Sequence, residues 1–170
     1  MQCTQRKNTI GTYRKLKRLI LPGAMVLDYG SGYGLGATLL HADAFEPNAR
    51  EGVWPTYTQP HHIPASLYDV VVCNCVLNVV DKWEDRVEIM NHIVRALKPG
   101  GCAYIMARSH RDVGDIKHKT AEGDGWRLKN GAFQRGYGRD ELRGFLVPFG
   151  EVTRIFRINS IGFCLTTPTP

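Results

Sequence analysis

Val26-Leu27-Asp28-Tyr29-Gly30-Ser31-Gly32-Tyr33-Gly34-Leu35-Gly36 is the stretch whose reading decides the fold. A short apolar run, Ala24 to Leu27, ends on an acidic residue and gives way to glycines at alternate positions. Glycine turns the chain tightly and lets a ligand approach where a Cβ would stand in the way. The apolar run reads as a buried strand, and Ala37 to His41 as the opening of a short helix. Ala42 to Phe45 makes a second strand. Tyr68 to Asn74 (YDVVVCN) is a continuous apolar run of the kind that a parallel sheet buries on both faces.

Working outward, Trp83, Val87, Met90, Val94 and Leu97 form one apolar stripe at helical spacing. Asp81 and Glu84 are placed like a capping box, and Lys98-Pro99-Gly100-Gly101 stops the helix. Cys102 to Ala107 is the next strand and Asp140 to Leu146 a short helix. Val152 to Ile158 and Ile161 to Thr167 read as an antiparallel hairpin turning at Asn159-Ser160. Before the first strand, residues 9–20 carry Tyr13, Leu16, Leu19 and Ile20 at helical spacing, and Pro22-Gly23 ends them. Residues 109–138 are polar and too long for an idle connector, so they are a candidate substrate loop. The rhythm is that of an α/β protein: a Rossmann-like parallel sheet with right-handed crossovers and a C-terminal antiparallel hairpin. Residues 1–170 are expected to form a single domain, with residues 1–22 as a basic N-terminal helix. Such sheets bind ligands at the carboxyl ends of their strands.

The chain has 170 residues, 22 basic and 16 acidic side chains and a net charge of +6. Residues 1–20 hold Arg6, Lys7, Arg14, Lys15, Lys17 and Arg18 and no acid, so they carry all of that excess. Residues 21–107 are acidic, and residues 108–170 are basic again. This distribution excludes a uniformly cationic nucleic-acid wrapper but allows a localised basic patch. No apolar run approaches the roughly 18 residues of a membrane span. Five cysteines (Cys3, Cys73, Cys75, Cys102, Cys164) form no C-x-x-C pair. Those in apolar strands read as reduced core residues, which fits a cytoplasmic protein.

A pyrophosphate beside the glycine loop would meet an unfavourable negative charge in Asp28. The pattern Gly32-Tyr33-Gly34-Leu35-Gly36-Ala37 also satisfies the dinucleotide fingerprint, and Asp28 disfavours that nicotinamide reading. At the end of the second strand, Glu46 can accept hydrogen bonds from both hydroxyls of a ribose. Phe45 and Pro47 offer apolar surface to an adenine. A ligand with an ammonium, a ribose and an adenine but no phosphate is S-adenosylmethionine.

Residues 26–34, with Glu46, resemble the first motif and the ribose acid of class I S-adenosylmethionine-dependent methyltransferases. Tyr68 to Val80 is similar to that family's fourth-strand motif, and Ala96 to Gly101 to the turn before its fifth strand. The resemblance implies the class I fold, with a shortened second crossover because Asp69 follows Glu46 by only 23 positions. It implies cofactor contacts from Asp28, Tyr29, Gly30, Ser31, Gly32, Gly34, Phe45, Glu46, Pro47, Asn74 and Cys75. Val76 to Val80 and Gly131 to Arg135 also resemble methyltransferases associated with DNA phosphorothioation. No acid lies between Tyr57 and Tyr68 to meet the adenine amino group. Asn74-Cys75-Val76-Leu77 is not the tetrad of DNA amino-methyltransferases, and no proline precedes Cys75 as it would a cytosine C5 nucleophile.

The expected function is methyl transfer to an unidentified acceptor, with nucleic acid favoured through residues 6–18 and 108–139. There Arg108, Arg111, Lys117, Lys119, Arg127, Lys129 and Arg135 alternate with Trp126, Phe133 and Tyr137, a pattern that can hold phosphates and stack bases. It also fits a solvated loop with buried aromatic anchors. The alternative function is a catalytically silent cofactor- or nucleic-acid-binding module of the same fold. Asn74 and His110 are the catalytic candidates, His110 as a general base at the right end of the sheet. His92 is expected to face solvent. His61 and His62 have no partner at metal spacing, and no metal is expected. Tyr13 and Lys7 are placed to reach the carboxylate of a bound methionine group or to close the site, although Tyr13 also belongs to its helix's apolar stripe.

Overall fold

The computed structural model describes residues 9–157 and 161–169. Alternating apolar residues pave both faces of a six-stranded sheet. Its parallel part comprises β1 (Val26–Tyr29), β2 (Asp43–Phe45), β3 (Tyr68–Asn74) and β4 (Leu97–Ala107). The hairpin of β8 (Glu151–Arg157) and β9 (Ile161–Thr166) joins antiparallel, giving the order β2-β1-β3-β4-β9-β8. The expected turn at Asn159-Ser160 lies outside the described residues. Leu27, Val71, Cys73, Ala103 and Ile105 face one side, under α3 (Trp83–Ala96) and α5 (Arg139–Leu146). Val26, Val70, Val72, Tyr104 and Met106 face the other, under α1 (Thr9–Lys17) and α2 (Leu35–Leu40). The parallel sheet and the reversed hairpin are as the sequence predicts.

The second crossover is short and lacks an α-helix; a single 3-10 turn, Pro60–His62, interrupts it. Where a further strand would pair with β2, Phe45 and Tyr57 make one isolated parallel bridge. α3 ends at Ala96, just before Lys98 to Gly101, as expected, and the chain enters β4 directly. Tyr68 pairs with Leu97 and Val70 with Cys102, so these four residues bulge from β4 without breaking it.

Four expectations need correction. Residues 109–138 are not a loop. They fold as α4 (His110–Gly114) followed by a three-stranded antiparallel sheet of β5 (Lys119–Glu122), β6 (Gly125–Leu128) and β7 (Phe133–Gln134). Second, the buried stripe of α3 runs through Arg86, Met90, Ile93 and Ala96, while Trp83 is half exposed. An arginine's charge hides its place in an apolar stripe. Asp81 is engaged by Arg127 at 3.1 Å, and α3 has no side-chain cap. Third, Cys102 and Cys164 form a disulfide with a Cα separation of 6.4 Å. They are diagonal neighbours on one face of the β4–β9 ladder, a proximity invisible in sequence separation. Cys73, buried on β3, forms no disulfide among the described residues. Finally, His92 is only partly exposed and its Nδ1 lies 3.3 Å from the Tyr29 hydroxyl. Burial lowers its pKa. Among the described residues no helix is long and apolar enough to cross a membrane.

Candidate functional site

The glycine loop leaves β1 at its carboxyl end. Gly30, Gly32 and Gly34 have φ of 78°, 56° and 74°, the left-handed region in which other residues are strained. The Gly30 and Ser31 N–H groups donate to the Phe45 carbonyl at 2.8 and 3.0 Å, tying the loop to the end of β2. A Cβ on Gly30 would meet Val76 Cγ2 at 2.4 Å, whereas one on Gly34 would have nothing within 4 Å. The loop is therefore wedged against the β3 exit on one side and open on the other. Gly30→Ala is expected to lower unfolding stability by about 2 kcal/mol or more through strain and clash, readable in a denaturant titration. An unchanged midpoint would contradict this packing.

Glu46 sits at the end of β2 and is 7% exposed. Its Oε2 accepts from the Gly32 N–H at 2.8 Å and its Oε1 from the Asn48 N–H at 3.1 Å. A carboxylate offers about four lone-pair sites, so each oxygen keeps capacity for a hydroxyl. Asp28, at the end of β1, is 0% exposed. The Tyr13 hydroxyl donates to its Oδ1 at 2.8 Å, and among the described residues Oδ2 has no hydrogen-bond partner. Burial, partly offset by Tyr13 and the Ala37 N–H and reinforced by Glu46, pushes its pKa up to about 7. None of those groups is a cation. The Asn74 side chain, at the end of β3 and largely buried, also reaches the Tyr13 hydroxyl. Cys75 follows at φ 61° and donates its N–H to the Met106 carbonyl at 2.8 Å.

Asp28, Glu46, Asn74, Cys75 and the loop Gly30–Gly34 thus gather at the carboxyl ends of β1, β2 and β3. Two expected contacts do not join them through their rings. Phe45 is 3% exposed and packs against Tyr29 in a tilted pair, with centroids 4.5 Å apart inside the core, so neither ring is available to a ligand. Strand alternation turns both inward, and Phe45 serves the loop through its carbonyl instead. Pro47 is exposed. His110 opens α4 behind a Ser109–Asp112 capping box, is 68% exposed and holds Glu141 Oε2 at 3.0 Å.

A polar cluster at the ends of β3 and β4 has no signal in sequence spacing. Asn78 Nδ2 and Arg108 both donate to Gln134 Oε1, at 3.1 and 3.2 Å. Asn78 and Gln134 are buried, and among the described residues Asn78 Oδ1 has no hydrogen-bond partner. The small sheet is fastened here by Arg86, which is 0% exposed. It forks onto Asp124 at 2.6 and 2.9 Å and donates to the carbonyls of Val80 and Asp81. Asp124 is shared with Arg135 at 2.8 Å, and Arg135 also pairs with Glu141. Arg127 joins Asp81 and Glu122, and Lys119 reaches the Val113 carbonyl over the Trp126 ring.

Much of the basic character expected of a nucleic-acid surface is therefore consumed internally. Phe133 and Tyr137 are each 1% exposed and serve as anchors; Trp126 alone of the three aromatics is on the surface. α1 also packs on the face of the main sheet opposite α3, whose Arg86 holds the small sheet. Lys17 donates to the Leu39 carbonyl at the end of α2 remote from the glycine loop. Lys7 lies outside the described residues. Among the described residues no three His, Cys, Asp or Glu side chains gather as a metal site.

A family model described as a methyltransferase domain matches residues 5–147. The fold is similar to that of 1,6-didemethyltoxoflavin-N1-methyltransferase from Burkholderia thailandensis, solved with 1,6-didemethyltoxoflavin and S-adenosylhomocysteine. The TM-score is 0.76 at 12% identity over 95% of this chain and 79% of that one. An S-adenosylmethionine-dependent methyltransferase from Mesorhizobium loti is similar with a TM-score of 0.64, at 14% identity over 89% and 96% of the two chains. One from Methanosarcina mazei gives 0.63 at 15% identity over 98% and 100%. No curated protein matches the sequence. The finer likeness to phosphorothioation-associated methyltransferases finds no support among these similarities.

Proposed function

We infer that this chain, which belongs to the methyltransferase domain family, binds S-adenosylmethionine at the carboxyl ends of β1, β2 and β3 and directs its methyl group to an acceptor. The observation that carries this reading is the fully buried Asp28 carboxyl, with Oδ2 unpartnered and like charge on Glu46 nearby. A phosphate there would add repulsion, whereas a cationic, phosphate-free ligand supplies the missing charge. When bound, S-adenosylmethionine supplies a methyl group already activated by a sulfonium leaving group.

The chain's own work is then positioning. Asp28 takes the methionine end, the Gly30–Gly34 backbone allows close approach, and Glu46 holds the ribose through the lone pairs that Gly32 and Asn48 leave free. Residues 74–78, with Arg108 and Gln134, border the acceptor. Calorimetric titration with S-adenosylmethionine and S-adenosylhomocysteine tests this: saturable binding is expected, and no heat at millimolar ligand overturns it.

A nucleic-acid acceptor is the finer part of the proposal. It rests on the exposed Arg14, Lys15 and Lys17 of α1, on Arg18 just after it, and on Arg111, Lys117, Lys129 and Arg139. Reversing the charge of Lys15, Lys17 and Arg18 is expected to weaken acceptor binding and spare cofactor binding; equal loss of both identifies a structural role. Labelled methyl transfer into DNA, RNA, protein and small-molecule fractions decides the acceptor class. The engagement of His110 by Glu141 favours a second reading, a module that holds the cofactor without catalysis. Binding without incorporation into any of the four fractions would establish it.

A further inference from the structure

We propose that Tyr13 is a positioning residue for the cofactor: its hydroxyl commits one oxygen of Asp28 and leaves Oδ2 for the ligand's cationic methionine end. The proposal rests on the cofactor reading above and adds α1 to that site.

Four observations converge on Tyr13. Its side chain is 3% exposed, and its hydroxyl lies 2.8 Å from Asp28 Oδ1. The ring fills a socket that only glycine allows, because a Cβ on Gly36 would stand 2.2 Å from Tyr13 Cζ. The last glycine of the loop region therefore seats an aromatic ring from α1 and does not itself meet the ligand. Asn74 reaches the same hydroxyl from the end of β3, so three elements fix one oxygen atom. Opposite, Asp28 Oδ2 is buried and, among the described residues, has no partner at hydrogen-bond geometry. An unsatisfied buried acceptor is costly, and more so when charged, which makes it a place prepared for a donor that arrives from outside.

The groups packed round Asp28 set the sign of its pH dependence. Tyr13 from α1 and the Ala37 N–H from α2 favour the carboxylate, while burial and Glu46 oppose it, leaving a pKa of about 7. On β3, Asn74 meets the Tyr13 hydroxyl, Cys75 lies close enough to act on Tyr13, and burial holds the neighbouring Cys73 thiol protonated. A cationic ligand needs the carboxylate, so affinity is present above that pKa and falls as pH drops through it. Removing the Tyr13 hydroxyl raises the Asp28 pKa further and moves the loss of affinity to higher pH.

The test is S-adenosylhomocysteine titration by calorimetry between pH 5.5 and 9, a range of roughly two units either side of the transition, with wild type and Tyr13→Phe, Gly36→Ala and Asp28→Asn variants. The homocysteine product keeps the ammonium and avoids turnover. Tyr13→Phe preserves the packing and is expected to bind about tenfold more weakly at neutral pH, with its affinity–pH curve displaced upward. Gly36→Ala evicts the ring and is expected to reproduce that weakening. A uniform loss at every pH, with no displacement, would make Tyr13 merely structural and overturn the proposal. Tighter binding by Tyr13→Phe would show that the hydroxyl competes with the ligand, and also overturns it. If Asp28→Asn binds as wild type does, the cofactor reading of Asp28 fails. If Asp28→Asn loses affinity while Tyr13→Phe matches wild type in affinity and pH profile, only the role of Tyr13 fails.

Discussion

Glu46→Ala is expected to weaken S-adenosylmethionine binding by about 100-fold, the loss of two hydrogen bonds to a charged acceptor at about 1.5 kcal/mol each. The geometry makes the effect twofold in origin. The carboxylate now binds the Gly32 and Asn48 N–H groups, one on each oxygen, and so holds the glycine loop against the chain leaving β2. Its removal both deletes the ribose acceptor and releases the loop that the ribose would contact. Glu46→Gln separates the two: it keeps one acceptor oxygen, and its expected loss is intermediate. Calorimetry reads both variants, and wild-type affinity in Glu46→Ala would remove the ribose assignment.

Asp124→Ala is expected to cost about 3 kcal/mol of unfolding free energy, at the lower end of what breaking a buried ion pair costs because this carboxylate is itself 40% exposed. The residue looks like a surface aspartate in a glycine turn. Its partner decides the outcome, since Arg86 is fully buried and would keep an unpaired guanidinium beneath the small sheet. Arg135 would lose one of its two carboxylates at the same time. Arg86 lowers the pKa of Asp124, so its contribution is complete above the ordinary carboxylate pKa and disappears as pH falls through the lowered value. Urea midpoints for wild type and variant at neutral pH and in acid check both statements. A stability difference that persists undiminished in strong acid would contradict the ion-pair account.

The comparison of sequence with structure follows a physical division. Backbone-level features were legible because they are written locally. Asp28 with alternating glycines, the YDVVVCN run and the reversed terminal hairpin each carry their own periodicity or conformational demand. Residues 109–138 look like a loop in the sequence because strands of four, four and two residues are too short to show alternation. What secures them is Arg86 and Asp124, 38 positions apart. Arg86 itself was invisible as a core residue, because its charge removed it from the apolar stripe that its position on α3 completes. Phe45 was assigned to the ligand from its place beside Glu46, yet strand alternation turns its ring into the core.

The sequence by itself determined the parallel strands, the glycine turn and the two carboxylates at the ends of the first two strands. These depend on residues within one turn or strand of each other, where chain connectivity enforces proximity. Tertiary structure alone decided that Tyr13 crosses from α1 to Asp28, that Gly36 makes room for its ring and that Arg86 ties down the small sheet. It also decided that Cys102 lies beside Cys164 and that Asn78, Arg108 and Gln134 share one oxygen. Each is a contact between side chains from separate elements. Its existence depends on how faces pack, which no spacing along the chain records.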